Sequence, residues 1–228
     1  MFKFPRIYCT QFTIEDLEGG ELLKKKSVIE IRRQIDILVI DDDEFTVGKK
    51  LEANNFNIAY VKDIANVKDV SAYQIILCDI RGVGAQLESP FEGAFLIKEI
   101  KRSYPTKHVI AYTGSNYDAS YNDFLRYADE IVKKGLSAEE WIDILDEEIE
   151  KCINPIVQWK KVRAKLLDQG LSLQDAAKLE SAYVKAVRSK NFDGFEKLAS
   201  KMSPQGSKFI TELLSSAAIS LILKGVGL

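Results

Sequence analysis

The chain has 228 residues, 46% of them apolar and 29% charged, with 32 Lys and Arg against 34 Asp and Glu. This is the composition of an ordinary globular protein with room for one medium domain and a smaller one, and it excludes disordered, collagen-like and coiled-coil classes. Three widely spaced cysteines, Cys9, Cys78 and Cys152, form neither an even disulfide set nor a metal-ligand rhythm.

A reduced, cytoplasmic setting is therefore expected. The start of the chain has no signal-peptide core, and no apolar run is long enough to cross a bilayer. Charge is unevenly spread: residues 151–228 carry 13 Lys and Arg against 6 Asp and Glu, which leaves 19 against 28 in residues 1–150.

Residues 1–35 read as an extension, with an aromatic start, a Gly19-Gly20 break and a stretch up to Gln34 that suits a helix feeding a strand. From Ile37 the pattern is regular. Ile37-Leu38-Val39-Ile40 is a strand apolar on both faces, followed by Asp41-Asp42-Asp43-Glu44. A helix is expected over about 44–54, a strand at "NIAYV" and a short helix near 64–70. A second strongly apolar strand, "YQIILCDI", ends at Asp79.

A Gly-containing loop leads into a helix near 94–103, stopped by Tyr104-Pro105, and "HVIAYTGS" is a strand ending at Thr113. A helical stretch near 121–127 and a strand "EIVKKG" ending at Lys133 come next, with Lys134 read as solvated. The helix from Ser137 has a Ser137-x-x-Glu140 capping box and an apolar stripe of Trp141, Ile144, Leu145 and Ile149. Strands alternating with helices give a five-stranded parallel sheet over about 36–153.

Residues 154–228 read as helices only, opened by Asn154-Pro155. "LSLQDAAKLESAYVKAV" loosely suits a helix-turn-helix, but Ser181 stands where the turn favours Gly. One continuous helix is the better reading, and nucleic acid is the lesser candidate partner. The apolar stretch Leu213–Leu223 is expected to be a buried helix or a partner-helix interface. Its small residues Ser216, Ala217 and Ser220 would permit dimerisation through the C-terminal helices.

Ligands of an open parallel sheet bind beyond the carboxyl ends of its strands. Those ends here carry Asp41-Asp42, Asp79, Thr113 and Lys133. Closely packed carboxylates repel, so they favour a hard cation such as Mg²⁺ among them. His108, the sole histidine, enters its strand at the wrong end for this site, and Cys78 reads as a small buried hydrophobe.

In these motifs, "VIDDDEF", "ILCDI", "IAYTGS" and "EIVKKG", the chain resembles the receiver domain of two-component response regulators over about 36–150. The resemblance implies a flavodoxin-like doubly wound sheet of order 2-1-3-4-5, followed here by an all-α domain. It implies Mg²⁺ held by Asp41, Asp42 and Asp79 with the backbone carbonyl of Arg81. It also implies phosphorylation of Asp79 by a sensor histidine kinase, Thr113 and Lys133 on the phosphate, and a phosphoacceptor rather than an enzyme of many turnovers.

Departures from the family pattern are a loop "DIRGVGAQLESPFEG" that brings Gly93 late, Lys134 in place of a proline, and no aromatic just before the lysine. Two alternatives stay open. One is a haloacid-dehalogenase-like phosphatase with Asp41 as nucleophile and Asp43 as general acid; the other is a degenerate receiver that serves only as an interaction scaffold.

Overall fold

The computed structural model describes residues 11–17, 27–87, 90–114 and 121–224. The apolar runs become strands β1 (Asp36–Ile40), β3 (Ile75–Asp79) and β4 (His108–Thr113), and the weaker ones become β2 (Asn57–Val61) and β5 (Glu130–Lys133). All pair in parallel in the order β2-β1-β3-β4-β5. The three central strands are buried along nearly their whole length, whereas the edge strands keep exposed residues.

Period-two alternation splits the strand side chains between two cores. Ile37, Val39, Leu77, Ile110 and Tyr112 face one layer with Leu51, Trp141, Leu145 and Ile149. Leu38, Ile40, Ile76, Cys78 and Val109 face the other with Leu96, Ile97 and Ile100. The first layer contains helices α1 (Val28–Arg32), α2 (Gly48–Ala53) and α5 (Ala138–Ile153), and the second contains α3 (Glu92–Ser103) and α4 (Asn122–Leu125). This is the doubly wound, flavodoxin-like arrangement.

Helix α5 starts at the expected capping box: the Ser137 hydroxyl accepts from the Glu140 N–H and the Glu140 carboxylate accepts from the Ser137 N–H. Helix α2 is shorter than its sequence pattern. Residues 43–47 stay out of it, and Phe45 turns inward to meet Tyr112 and Trp141 at ring-centroid distances of 5.7 and 5.4 Å. Burying that ring outweighs the first turn of helix.

The remaining chain forms α6 (Pro155–Asp168), α7 (Leu173–Ser189), α8 (Asp193–Met202), α9 (Ser207–Leu214) and α10 (Ala217–Leu223). Asn154 caps α6 through its Oδ1, 2.9 Å from the Ile156 N–H. Helix α7 is continuous through Ser181. The last apolar stretch is two helices rather than one, because the Ser216 side chain caps α10 at its own N-terminus.

The core of this part stacks Trp159 on Tyr183 at 5.0 Å, with Phe195 edge-on. It also takes in Ile14 and Leu17 from the start of the chain. Residues 11–17 thus pack with the C-terminal helices, where the Phe12 N–H donates to Ser181 Oγ at 3.0 Å. Residues 1–10, the Gly19-Gly20 break and residues 21–26 lie outside the described residues. Ala217 and Leu221 of α10 pack on the α/β core, so part of the face suited to a partner helix is used within the chain.

The seam between the two parts is partly ionic. His108 Nδ1 lies 2.7 Å from Glu148 Oε2, and His108 Nε2 lies 2.9 Å from Lys161 Nζ of α6. Lys161 and Lys101 both reach Asp129 at 2.8 Å. A buried network of this kind is tolerable only when nearly every polar atom has a partner.

Candidate functional site

The carboxyl ends of β1, β3 and β4 meet at one edge of the sheet. Asp79 is the last residue of β3 and 4% exposed, and Asp41 follows β1 at 7%. Asp42 is exposed beside them, and carboxylate oxygens of Asp41, Asp42 and Asp79 lie within 4.8 Å of one another. Room for Asp42 comes from Gly82, whose φ is +76° and where a Cβ would fall 2.3 Å from Asp42 Oδ2. Three hard oxygen donors at this spacing suit Mg²⁺, which takes one or two carboxylates and leaves positions for water and phosphate.

Asp79 is held at both oxygens. Oδ1 accepts from the Ile80 N–H at 2.7 Å and from the Arg81 N–H at 3.4 Å. Oδ2 accepts from Lys134 Nζ at 2.5 Å. Burial raises the Asp79 pKa above the usual carboxylate value, and Lys134 offsets only part of that. The Lys134 ammonium also lies 3.3 Å from Asp41 Oδ2; burial pulls its pKa down, but its bond to Asp79 and the charges of both carboxylates leave it raised.

Lysine 134, and not Lys133, is therefore the residue that meets Asp79. Lys133 is the last residue of β5, paired with Thr113 and exposed. The reason is strand parity. Val132 points into the core beside Tyr112, so the side chain two residues on, Lys134, falls on the same side and crosses the Tyr112 ring at 5.3 Å.

Thr113 ends β4, buried, one residue past Tyr112, which is the register partner of Asp79. No hydrogen bond from its hydroxyl is seen among the described residues. Arg81 sits exposed in the turn after Asp79. Gly93 lies at the start of α3, so close to the end of β3 that a Cβ would fall 1.9 Å from the Asp79 carbonyl oxygen. The long loop after Asp79 thus still brings a glycine to this contact.

Tyr112 was not among the residues expected at the site. Its hydroxyl donates to Asp41 Oδ2 at 2.7 Å, and burial together with that carboxylate drives its pKa far up. Asp41 Oδ1 accepts from the Asp43 N–H at 3.0 Å.

No family model matches the chain, and no curated protein matches it. Solved structures of receiver domains do resemble about half of it. The receiver domain of NtrX from Brucella abortus is 22% identical, covering 50% of this chain and 98% of that one with a TM-score of 0.42. A CheY-like receiver domain protein from Methanospirillum hungatei JF-1 is 19% identical over 51% of this chain and 94% of that one, TM-score 0.42. A response regulator from Thermotoga maritima is 16% identical over 51% and 98%, TM-score 0.41. The fold class itself rests on the strand order and on the layers that cover the sheet.

Among the described residues, no helix is long and apolar enough to cross a membrane.

Proposed function

We propose that this chain is a response regulator whose Asp79 accepts a phosphoryl group from the phosphohistidine of a sensor kinase. One observation carries the reading: a buried carboxylate at the carboxyl end of β3 sits within 4.8 Å of two further carboxylates and in contact with an ammonium. In the transfer an oxygen of Asp79 attacks phosphorus and the new O–P bond makes an acyl phosphate. The P–N bond to the histidine breaks, and its electron pair returns to the imidazole nitrogen.

Asp41, Asp42 and Asp79, with the Arg81 carbonyl, would hold Mg²⁺. When bound, the cation offsets negative charge on the transferring oxygens. Lys134, in contact with both Asp79 and Asp41, would supply a second positive charge, and Thr113 at the end of β4 would offer its hydroxyl to the phosphoryl group. Asp79 is taken as the acceptor because it ends β3 and has the shorter contact with the ammonium, 2.5 Å to Lys134 Nζ against 3.3 Å for Asp41.

The helical part would read the modification through the chain it shares with the sheet. Strand β4 runs from His108, clasped by Lys161 of α6, to Thr113 at the site. Added phosphate charge at one end of such an element biases its packing at the other.

The test is incubation with Mg²⁺ and a small phosphodonor such as acetyl phosphate, followed by a phosphate-retarding gel. Wild type is expected to shift and Asp79→Asn is not. A shift that persists in Asp79→Asn, or no shift in either protein, contradicts the reading.

A further inference from the structure

Asp41 is held by a side chain of the "IAYTGS" strand that was not expected at the site. The Tyr112 hydroxyl donates to Asp41 Oδ2 at 2.7 Å, and Tyr112 is only 2% exposed. Its ring is pinned from two sides, by Phe45 at 5.7 Å and by Trp141 at 5.9 Å. The Lys134 ammonium sits over the same ring, 5.3 Å from its centroid. One rigid side chain therefore touches both a carboxylate of the acidic cluster and the ammonium paired with Asp79.

We propose that Tyr112 is a positioning residue for the cation site, holding Asp41 in the orientation in which Asp41, Asp42 and Asp79 take a hard divalent ion together. This inference rests on the reading of the acidic cluster as a Mg²⁺ site. The physical argument is one of preorganisation. A carboxylate among like charges turns away from them unless a donor fixes it, and the phenol does so without adding charge. Partners behind a ligand typically contribute 10–100-fold in metal affinity.

The aromatic packing keeps the phenol from following Asp41 if the carboxylate rotates. Phe45 reaches the ring because residues 43–47 stay out of α2. The same loop turns the Asp43 N–H onto Asp41 Oδ1 at 3.0 Å. Both oxygens of Asp41 are thus oriented from outside the cluster.

Tyr112→Phe removes the hydroxyl and keeps the ring, so the aromatic packing and the contact with Lys134 survive. Binding of Mn²⁺ to the full chain, followed as loss of the free-ion EPR signal, reports occupancy without any turnover. Mn²⁺ shares the preference of Mg²⁺ for octahedral oxygen sites. The expected result is one site in wild type that is lost in Asp41→Asn, with half-saturation about tenfold higher in Tyr112→Phe.

Excess Mg²⁺ should then restore acetyl-phosphate-dependent phosphorylation of Tyr112→Phe to within about twofold of wild type, the pattern of lost binding rather than lost chemistry. Equal Mn²⁺ half-saturation in wild type and Tyr112→Phe overturns the role of Tyr112 and leaves the cation site standing. A phosphorylation defect that excess Mg²⁺ fails to restore overturns it as well. Absence of any Asp41-dependent Mn²⁺ site in wild type removes the cation reading itself.

Discussion

Replacing Lys134 by alanine, with Lys133→Ala beside it, separates the lysine that meets Asp79 from the neighbour that the sequence pointed to. Lys134 Nζ lies 2.5 Å from Asp79 Oδ2, with about a third of its side chain open to solvent. A hydrogen bond to a charged group contributes about 1.5–3 kcal/mol. Partial exposure argues for the lower end of that range. At about 1.4 kcal/mol per tenfold in rate, losing this bond from the transferring group slows phosphorylation of Asp79 by about tenfold or somewhat more.

Lys133 is exposed, and a surface substitution of this kind changes energies by only about 0.5 kcal/mol, or about twofold. The assay is the initial rate of acyl phosphate formation from acetyl phosphate at saturating Mg²⁺. If Lys133→Ala is slowed as much as Lys134→Ala, or if Lys134→Ala keeps the wild-type rate, the strand-parity argument is wrong.

Two further outcomes are expected. Burial lowers the His108 pKa from its ordinary value of about 6.5, and Lys161, 2.9 Å from Nε2, opposes protonation further while Glu148 and Asp129 favour it. A depressed histidine contributes stability that is present above the unfolded-state pKa and is lost as the pH falls below it toward the folded value. Urea midpoints of wild type should therefore fall more steeply between pH 6.5 and 5 than those of His108→Asn; parallel slopes would show that His108 is not the group responsible. Gly82→Ala should raise the Mg²⁺ concentration needed for phosphorylation, because its Cβ would meet Asp42 Oδ2 at 2.3 Å. It should also cost about 1–2 kcal/mol in urea denaturation for the left-handed φ of +76°. An unchanged Mg²⁺ requirement would place Asp42 outside the cation site.

Much of this architecture was legible because a doubly wound sheet buries its central strands on both faces. Residues 37–40, 75–78 and 109–112 therefore stand out as unbroken apolar runs. The acids at the ends of β1 and β3 come together as one cluster. The lysine was misplaced by one residue because β5 is an edge strand of four residues. Its weak alternation put Lys133 at the site and Lys134 in solvent, and only the burial of Val132 shows which side each one faces.

Tyr112 was hidden for the opposite reason. A tyrosine inside an apolar strand reads as core, and its hydroxyl partner Asp41 lies 71 residues away in sequence. The docking of Ile14 and Leu17 on the C-terminal helices is likewise a tertiary contact without local pattern. The break between α9 and α10 depends on a serine cap that resembles an ordinary polar position in a longer helix.

Phosphorylation of Asp79 would leave a covalent acyl phosphate on one side chain, which chemical trapping can locate. An acyl phosphate is reduced by borohydride to an alcohol, so phosphorylated protein treated in this way carries homoserine in place of the modified aspartate. Peptide mapping by mass spectrometry is expected to find homoserine at position 79, dependent on Mg²⁺ and phosphodonor. Homoserine at position 41, or no reduced aspartate under conditions where phosphate is incorporated, would contradict the account.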